Sequence, residues 1–81
     1  MYNMIERFMN NLSISDVDNF AMEKNIHLSN EELNFTYEFI KKNWRQIIKS
    51  PESLDLDRYK SKYTEENFHK IKILFKEYSL K

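Results

Sequence analysis

This chain of 81 residues contains no glycine, no cysteine and a single proline. Average usage would supply glycine at roughly 7% of positions. Phosphate-cradling loops, dinucleotide fingerprints and nucleophile elbows all depend on glycine for positive φ or for close backbone approach, so those enzyme classes lose their sequence support. For the same reason, helix ends have to be closed by asparagine or by side-chain caps. The lack of cysteine removes disulfides, thiol nucleophiles and thiolate metal sites together, and fits a reducing compartment. No apolar run approaches the roughly 20 residues of a transmembrane helix. The opening "MYNMIERFMNNL" lacks a basic n-region and a long apolar h-region, so a secretory signal is not expected. These absences predict a soluble, cytoplasmic protein with no membrane partner.

Charge of one sign is not in excess either, with 13 basic and 13 acidic residues. Their distribution is uneven. Residues 1–40 hold two basic and seven acidic groups, a net −5, and residues 41–81 hold eleven and six, a net +5. Either the two halves fold against each other and attract, or the basic half faces an anionic partner.

What the chain does have is aromatic mass. Six Phe, five Tyr and one Trp sit in a sequence that is 41% hydrophobic. A chain this short buries only roughly 60% of its unfolded surface, and large rings let one core form from few positions. Disorder is therefore not expected, and residues 1–81 read as one domain.

Cap chemistry marks the helix starts. In "LSNEEL", Ser29 and Glu32 form a capping box, with Leu28 and Leu33 placed as a hydrophobic staple. "YTEENF" offers Thr64 as N-cap and Tyr63 with Phe68 as staple. "LDLDRY" repeats the arrangement in miniature around Asp55. Ser15 can cap "DVDNFAMEK", with Asp16 and Asp18 favourable at its N-terminus and Asn25 as a left-handed stop. Periodicity agrees with the caps. Met4, Ile5, Phe8 and Leu12 mark one side of a first helix, and Val17, Phe20 and Ala21 one side of a second. Leu33, Tyr37, Ile40, Trp44, Ile47 and Ile48 form the stripe of a long third helix that Pro51 ends. Phe68, Ile71, Leu74, Phe75 and Tyr78 repeat the pattern in a fourth. No segment alternates long enough to argue a strand. The expected fold is all-α, a small single-domain bundle of about four helices with a long central third helix and a short helical turn near residues 55–61.

Two features bear on function. In "FIKKNWRQIIK", Trp44 lies at the centre of the apolar stripe and reads as a core anchor, while Lys41, Arg45 and Lys49 recur along its flank. With Lys42, and with Lys70, Lys72 and Lys76 on the fourth helix, they could lie along a phosphate backbone, or their stems could cover the edge of the core. Phe35 and Phe39 lie off the stripe. Either the third helix is buried on two faces, or these rings, with Ile73, form a contact for another chain. His27 and His69 are lone histidines, and the carboxylate pairs Asp16/Asp18, Glu31/Glu32, Asp55/Asp57 and Glu65/Glu66 fall at caps or in first helical turns, where the helix dipole accounts for them. No catalytic, cofactor or metal site is expected.

The succession "SISDVDNFAMEKNIHLSNEELNFTYEFIKKNW" followed by "LDLDRYKSKYTEENFHKIKILFKEY" resembles the small uncharacterised helical proteins of low-GC Gram-positive bacteria grouped as the YqfT-type family. The likeness runs through a "Ser-x-x-x-x-x-Phe-Ala" helix start, the "Ile-x-Leu-Ser" cap and the long helix that follows. It implies a small all-helical cytoplasmic protein of bacterial origin. It brings no assigned activity, and so no functional residue. The sequence alone thus points to a non-enzymatic protein-interaction or regulatory module, self-associating or bound to another protein. The alternative is a nucleic-acid binder that uses the basic flank.

Overall fold

Serine and threonine caps set where the helices begin. The computed structural model describes residues 3–79, with side chains to residue 77, and is all-helical across them. Four α-helices follow in order: α1 (Asn3–Asn10), α2 (Ile14–Glu23), α3 (Asn30–Lys49) and α4 (Glu65–Ser79). Two 3-10 turns, Pro51–Ser53 and Leu56–Lys62, join α3 to α4. The turn expected near residues 55–61 is the second of these, and Tyr78 falls outside the described side chains.

Ser29 closes the start of α3 as expected. Its hydroxyl accepts from the Glu32 N–H at 3.2 Å and its own N–H donates to Glu32 Oε1 at 2.8 Å. Thr64 does the same service for α4, accepting from the Asn67 N–H at 3.2 Å, and the staple rings of Tyr63 and Phe68 lie 6.4 Å apart. Asp55 accepts from the Asp57 N–H at the second 3-10 turn.

The cap of α2 is Ser13 and not Ser15. Ser13 and Asp16 exchange hydrogen bonds of 3.0 and 3.1 Å in a full capping box. "SISDVD" offers a serine three residues before an aspartate in two registers. A cap at Ser13 puts Leu12 before the cap and Val17 at the fourth helical position, both apolar, whereas a cap at Ser15 would put Asn19 there and leave no staple. The apolar pairing selects the earlier start.

Helix ends are closed without glycine. Asn25 adopts φ 62° after α2. Ile26 N–H then donates to Ala21 O at 2.8 Å and Asn25 N–H to Met22 O at 2.9 Å, the paired bonds of a Schellman turn. At α1 the cap comes from another helix: Lys41 Nζ donates to Met9 O at 2.9 Å and to Asn10 O at 3.1 Å. A cation there also opposes the negative end of the helix dipole.

The third helix is the hub. Its backbone packs closely against α1, α2 and the first 3-10 turn, while α4 lies closest to the second turn. Trp44 is buried as a core anchor with Val17, Ala21, Ile26 and Phe68 around it in the interior. The inner side of α1 differs from the periodicity reading. Ile5, Met9 and Leu12 turn inward, and Met4 and Phe8 point out, 80% and 61% exposed. The Lys41 cap and an Arg45–Glu6 ion pair of 2.8 Å hold α1 in that orientation together with the partial burial of Ile5, Met9 and Leu12. Phe20 and Ile48, expected inside, are partly exposed for a related reason: they stand at the edge of an open interior space.

Candidate functional site

Large side chains on three helices meet without filling the centre. Val17, Phe20 and Ala21 from α2, Ile40, Trp44 and Ile47 from α3, and Phe68, Ile71, Leu74 and Phe75 from α4 line a single chamber of about 360 Å³. Buried Val17, Ala21, Ile26, Trp44 and Phe68 form its floor, and Phe20 and Ile48 stand at its mouth. Its walls are almost wholly apolar.

Thr36 and Tyr63 are the exception. Their hydroxyl oxygens lie 2.6 Å apart, and both residues line the chamber. Thr36 also donates to Glu32 O at 2.7 Å. A hydroxyl has one hydrogen, so Thr36 spends its own on Glu32 O and the hydrogen between the two oxygens is that of Tyr63. Burial raises the Tyr63 phenol above its ordinary 10.0; the Thr36 hydroxyl offsets part of this, and the charge of Glu32 adds to the rise.

The chamber is open to solvent at its mouth. Water fills apolar space poorly, since each molecule needs two to four polar partners. An apolar occupant of this space would therefore stabilise the fold.

Beside the chamber, Glu32 ties two helix starts together. It is 4% exposed. Oε1 accepts from Ser29 N–H and from Asn67 Nδ2 at 2.9 Å, and Oε2 accepts from Thr64 N–H at 2.8 Å. One carboxylate therefore serves its own capping box and supplies the returning half of the box that α4 lacks, because position three of α4 is Asn67 and not a glutamate. Asn67, also buried, uses Nδ2 a second time on His27 O at 3.0 Å. Burial by itself would raise the Glu32 pKa, but the bonds from Ser29, Thr64 and Asn67 outweigh it and hold the carboxyl below its ordinary 4.5.

Several of the expected basic residues are engaged within the fold. Lys41 is committed to the end of α1, and Arg45 pairs with Glu6 and lies 4.4 Å over the Trp44 ring. Lys70 donates to Asn25 O at 2.9 Å beyond the end of α2, and Lys72 pairs with Asp57 at 3.0 Å. Lys42, Lys49 and Lys76 are exposed. Lys41, Arg45 and Lys70 thus tie the basic half of the chain to the acidic half.

Phe35 and Phe39 are half-buried in an aromatic cluster. Phe35 lies 5.7 Å from Tyr59 and 5.8 Å from Tyr63, and Phe39 lies 5.0 Å from Tyr59. The second 3-10 turn and the residue after it carry these tyrosines against α3, where Phe35, Phe39, Tyr59 and Tyr63 line the same chamber. Ile73 remains 48% exposed on α4. His27 and His69 are exposed and far apart in role, His27 lending only its carbonyl to Asn67. Among the described residues no three His, Cys, Asp or Glu side chains gather to hold a metal ion, and no helix is long and apolar enough to cross a membrane.

Neither the chamber nor the reach of Glu32 is legible in the linear pattern of residues. The asparagine at position three of α4 is the one available signal, since it leaves a capping box half made. The chain matches no known protein family, no curated protein and no solved structure.

Proposed function

We propose that this protein is a non-enzymatic interaction module that self-associates through α1. The observation that supports it is the pair Met4 and Phe8, one turn apart on the outward side of α1 and 80% and 61% exposed. Two large apolar side chains on one helical row are what a helix offers to a partner helix. A second copy of the chain is the partner that charge favours. Net charge is zero, so no monopole keeps copies apart. Ile73 adds apolar surface on α4, whereas Phe35 and Phe39 spend most of their rings on Tyr59 and Tyr63.

Light scattering over a concentration series tests this reading. The expected mass rises toward twice the 10.0 kDa of one chain. Met4→Ser with Phe8→Ser is expected to stay monomeric at every concentration and to melt like the parent, because exposed side chains change stability by under roughly 0.5 kcal/mol. A parent protein that stays monomeric throughout refutes the proposal. The kinship with YqfT-type proteins is proposed on the quoted motifs and brings no activity that competes with this reading.

A further inference from the structure

We infer that the chamber between α2, α3 and α4 binds a small neutral apolar molecule carrying one hydrogen-bond donor, of the class of medium-chain alcohols and aromatic amines. The inference does not depend on self-association. Size comes first: a cavity of roughly 150 Å³ holds one benzene, and about 360 Å³ is more than twice that and within the range of ligand pockets. Floor and mouth come next, with buried Ala21, Ile26 and Trp44 inside and partly exposed Phe20 and Ile48 at the opening.

The chemistry of the ligand follows from the hydrogens. Thr36 gives its only hydroxyl hydrogen to Glu32 O, and Tyr63 gives its own to Thr36 Oγ1. Both donors are spent, so whatever the Tyr63 oxygen presents to the chamber can only accept. A ligand group there has to donate. A carboxylate cannot, and it would meet neither Lys nor Arg, since none lines the chamber. It would also approach the ionised Glu32, whose hydrogen bonds come from Ser29, Thr64 and Asn67. An alcohol or an amine N–H can donate to a hydroxyl oxygen of this pair and leaves the rest of the molecule in hydrocarbon-like surroundings.

Titration of the 81-residue protein with N-phenyl-1-naphthylamine, a neutral dye with one N–H, tests the inference. The expected result is saturable binding at one dye per chain with quenching of Trp44, the only tryptophan. 1-Decanol is expected to displace the dye at a concentration at least about fivefold lower than decanoate does at pH 8. Ala21→Phe places a ring inside the chamber and is expected to weaken dye binding at least about tenfold with helical circular dichroism retained. Should that variant fail to fold, Tyr63→Phe decides: decanol affinity falls about fivefold, the worth of one hydrogen bond, and affinity for naphthalene, which has no donor, is unchanged. The Met4→Ser, Phe8→Ser variant is expected to bind the dye like the parent. No saturable binding, decanoate competing as well as decanol, binding that survives in a folded Ala21→Phe, a Tyr63→Phe protein that still prefers decanol equally, or binding lost with Met4 and Phe8 would each overturn the inference.

Discussion

Replacing Glu32 with glutamine keeps the side-chain volume and changes what one of its two terminal atoms can do. Three N–H groups converge on the carboxylate, from Ser29 and Asn67 at Oε1 and from Thr64 at Oε2. A glutamine has one acceptor oxygen and one NH₂ group. If its oxygen faces Ser29 and Asn67, the NH₂ confronts the Thr64 N–H; if it is turned over, two donors are left without an acceptor. Each orphaned buried donor costs about 1 to 3 kcal/mol, and the surviving bonds weaken with loss of the charge. We expect Glu32→Gln to cost about 3 kcal/mol, a large share of the roughly 4 to 12 kcal/mol available. For a domain of this size, that lowers Tm by about 12 to 24 °C.

The assay is thermal unfolding followed by Trp44 emission, with Glu31→Gln as the exposed control. The acidic side gives a second readout. The folded pKa of Glu32 lies below 4.5, so its contribution is complete above about that pH and is lost as pH falls through the folded value. Glu32→Gln should therefore flatten the acid limb of the stability profile. A double-mutant cycle with Asn67→Ala should return a coupling of about 1 kcal/mol or more. A Tm loss of no more than about 3 °C, or one equal to that of Glu31→Gln, would refute the clamp.

Three further outcomes follow from the same geometry. Ser13→Ala should cost about 1 kcal/mol and Ser15→Ala under about 0.5 kcal/mol in thermal melts, and the reverse order would move the start of α2 two residues later. Asn25→Ala should destabilise by about 1 kcal/mol because alanine resists a φ of 62°, whereas Asn25→Gly should not; equal losses would show that the turn after α2 does not depend on that conformation. Tyr63 has its folded pKa above 10.0, so its contribution is complete below that pH and is lost as pH rises through the folded value. Urea midpoints measured from pH 9 upward should fall for the parent more steeply than for Tyr63→Phe.

Local rules account for most of what is legible in the linear chain. Ser29, Thr64, Asp55 and Asn25 act as the one-dimensional grammar of caps demands, because a cap joins residues two to four positions apart and needs no partner from elsewhere. The want of glycine likewise foretells helix ends closed by asparagine and by side chains. The cap of α2 is legible too, but only once the apolar pair Leu12 and Val17 is used to discriminate between two serines of equal spacing; acidic residues near Ser15 alone point to the wrong one.

Other features require the chain to meet itself. Periodicity puts Met4, Ile5, Phe8 and Leu12 on one broad side of α1, but the docking of α1 on α3 decides which edge of that side faces inward. Phe35 and Phe39 read as core or as contact until the segment after α3 brings Tyr59 and Tyr63 against them. An all-helical chain, the starts of α3 and α4 and the tryptophan anchor were all written in the order of the residues, because they depend on hydrogen bonds and helical rows within a few positions. That Glu32 joins α3 to α4 across 32 positions, and that three apolar stripes meet around a space they do not fill, came instead from the way the helices pack. Volume and long-range hydrogen bonding are properties of how helices are placed, and no local pattern encodes them.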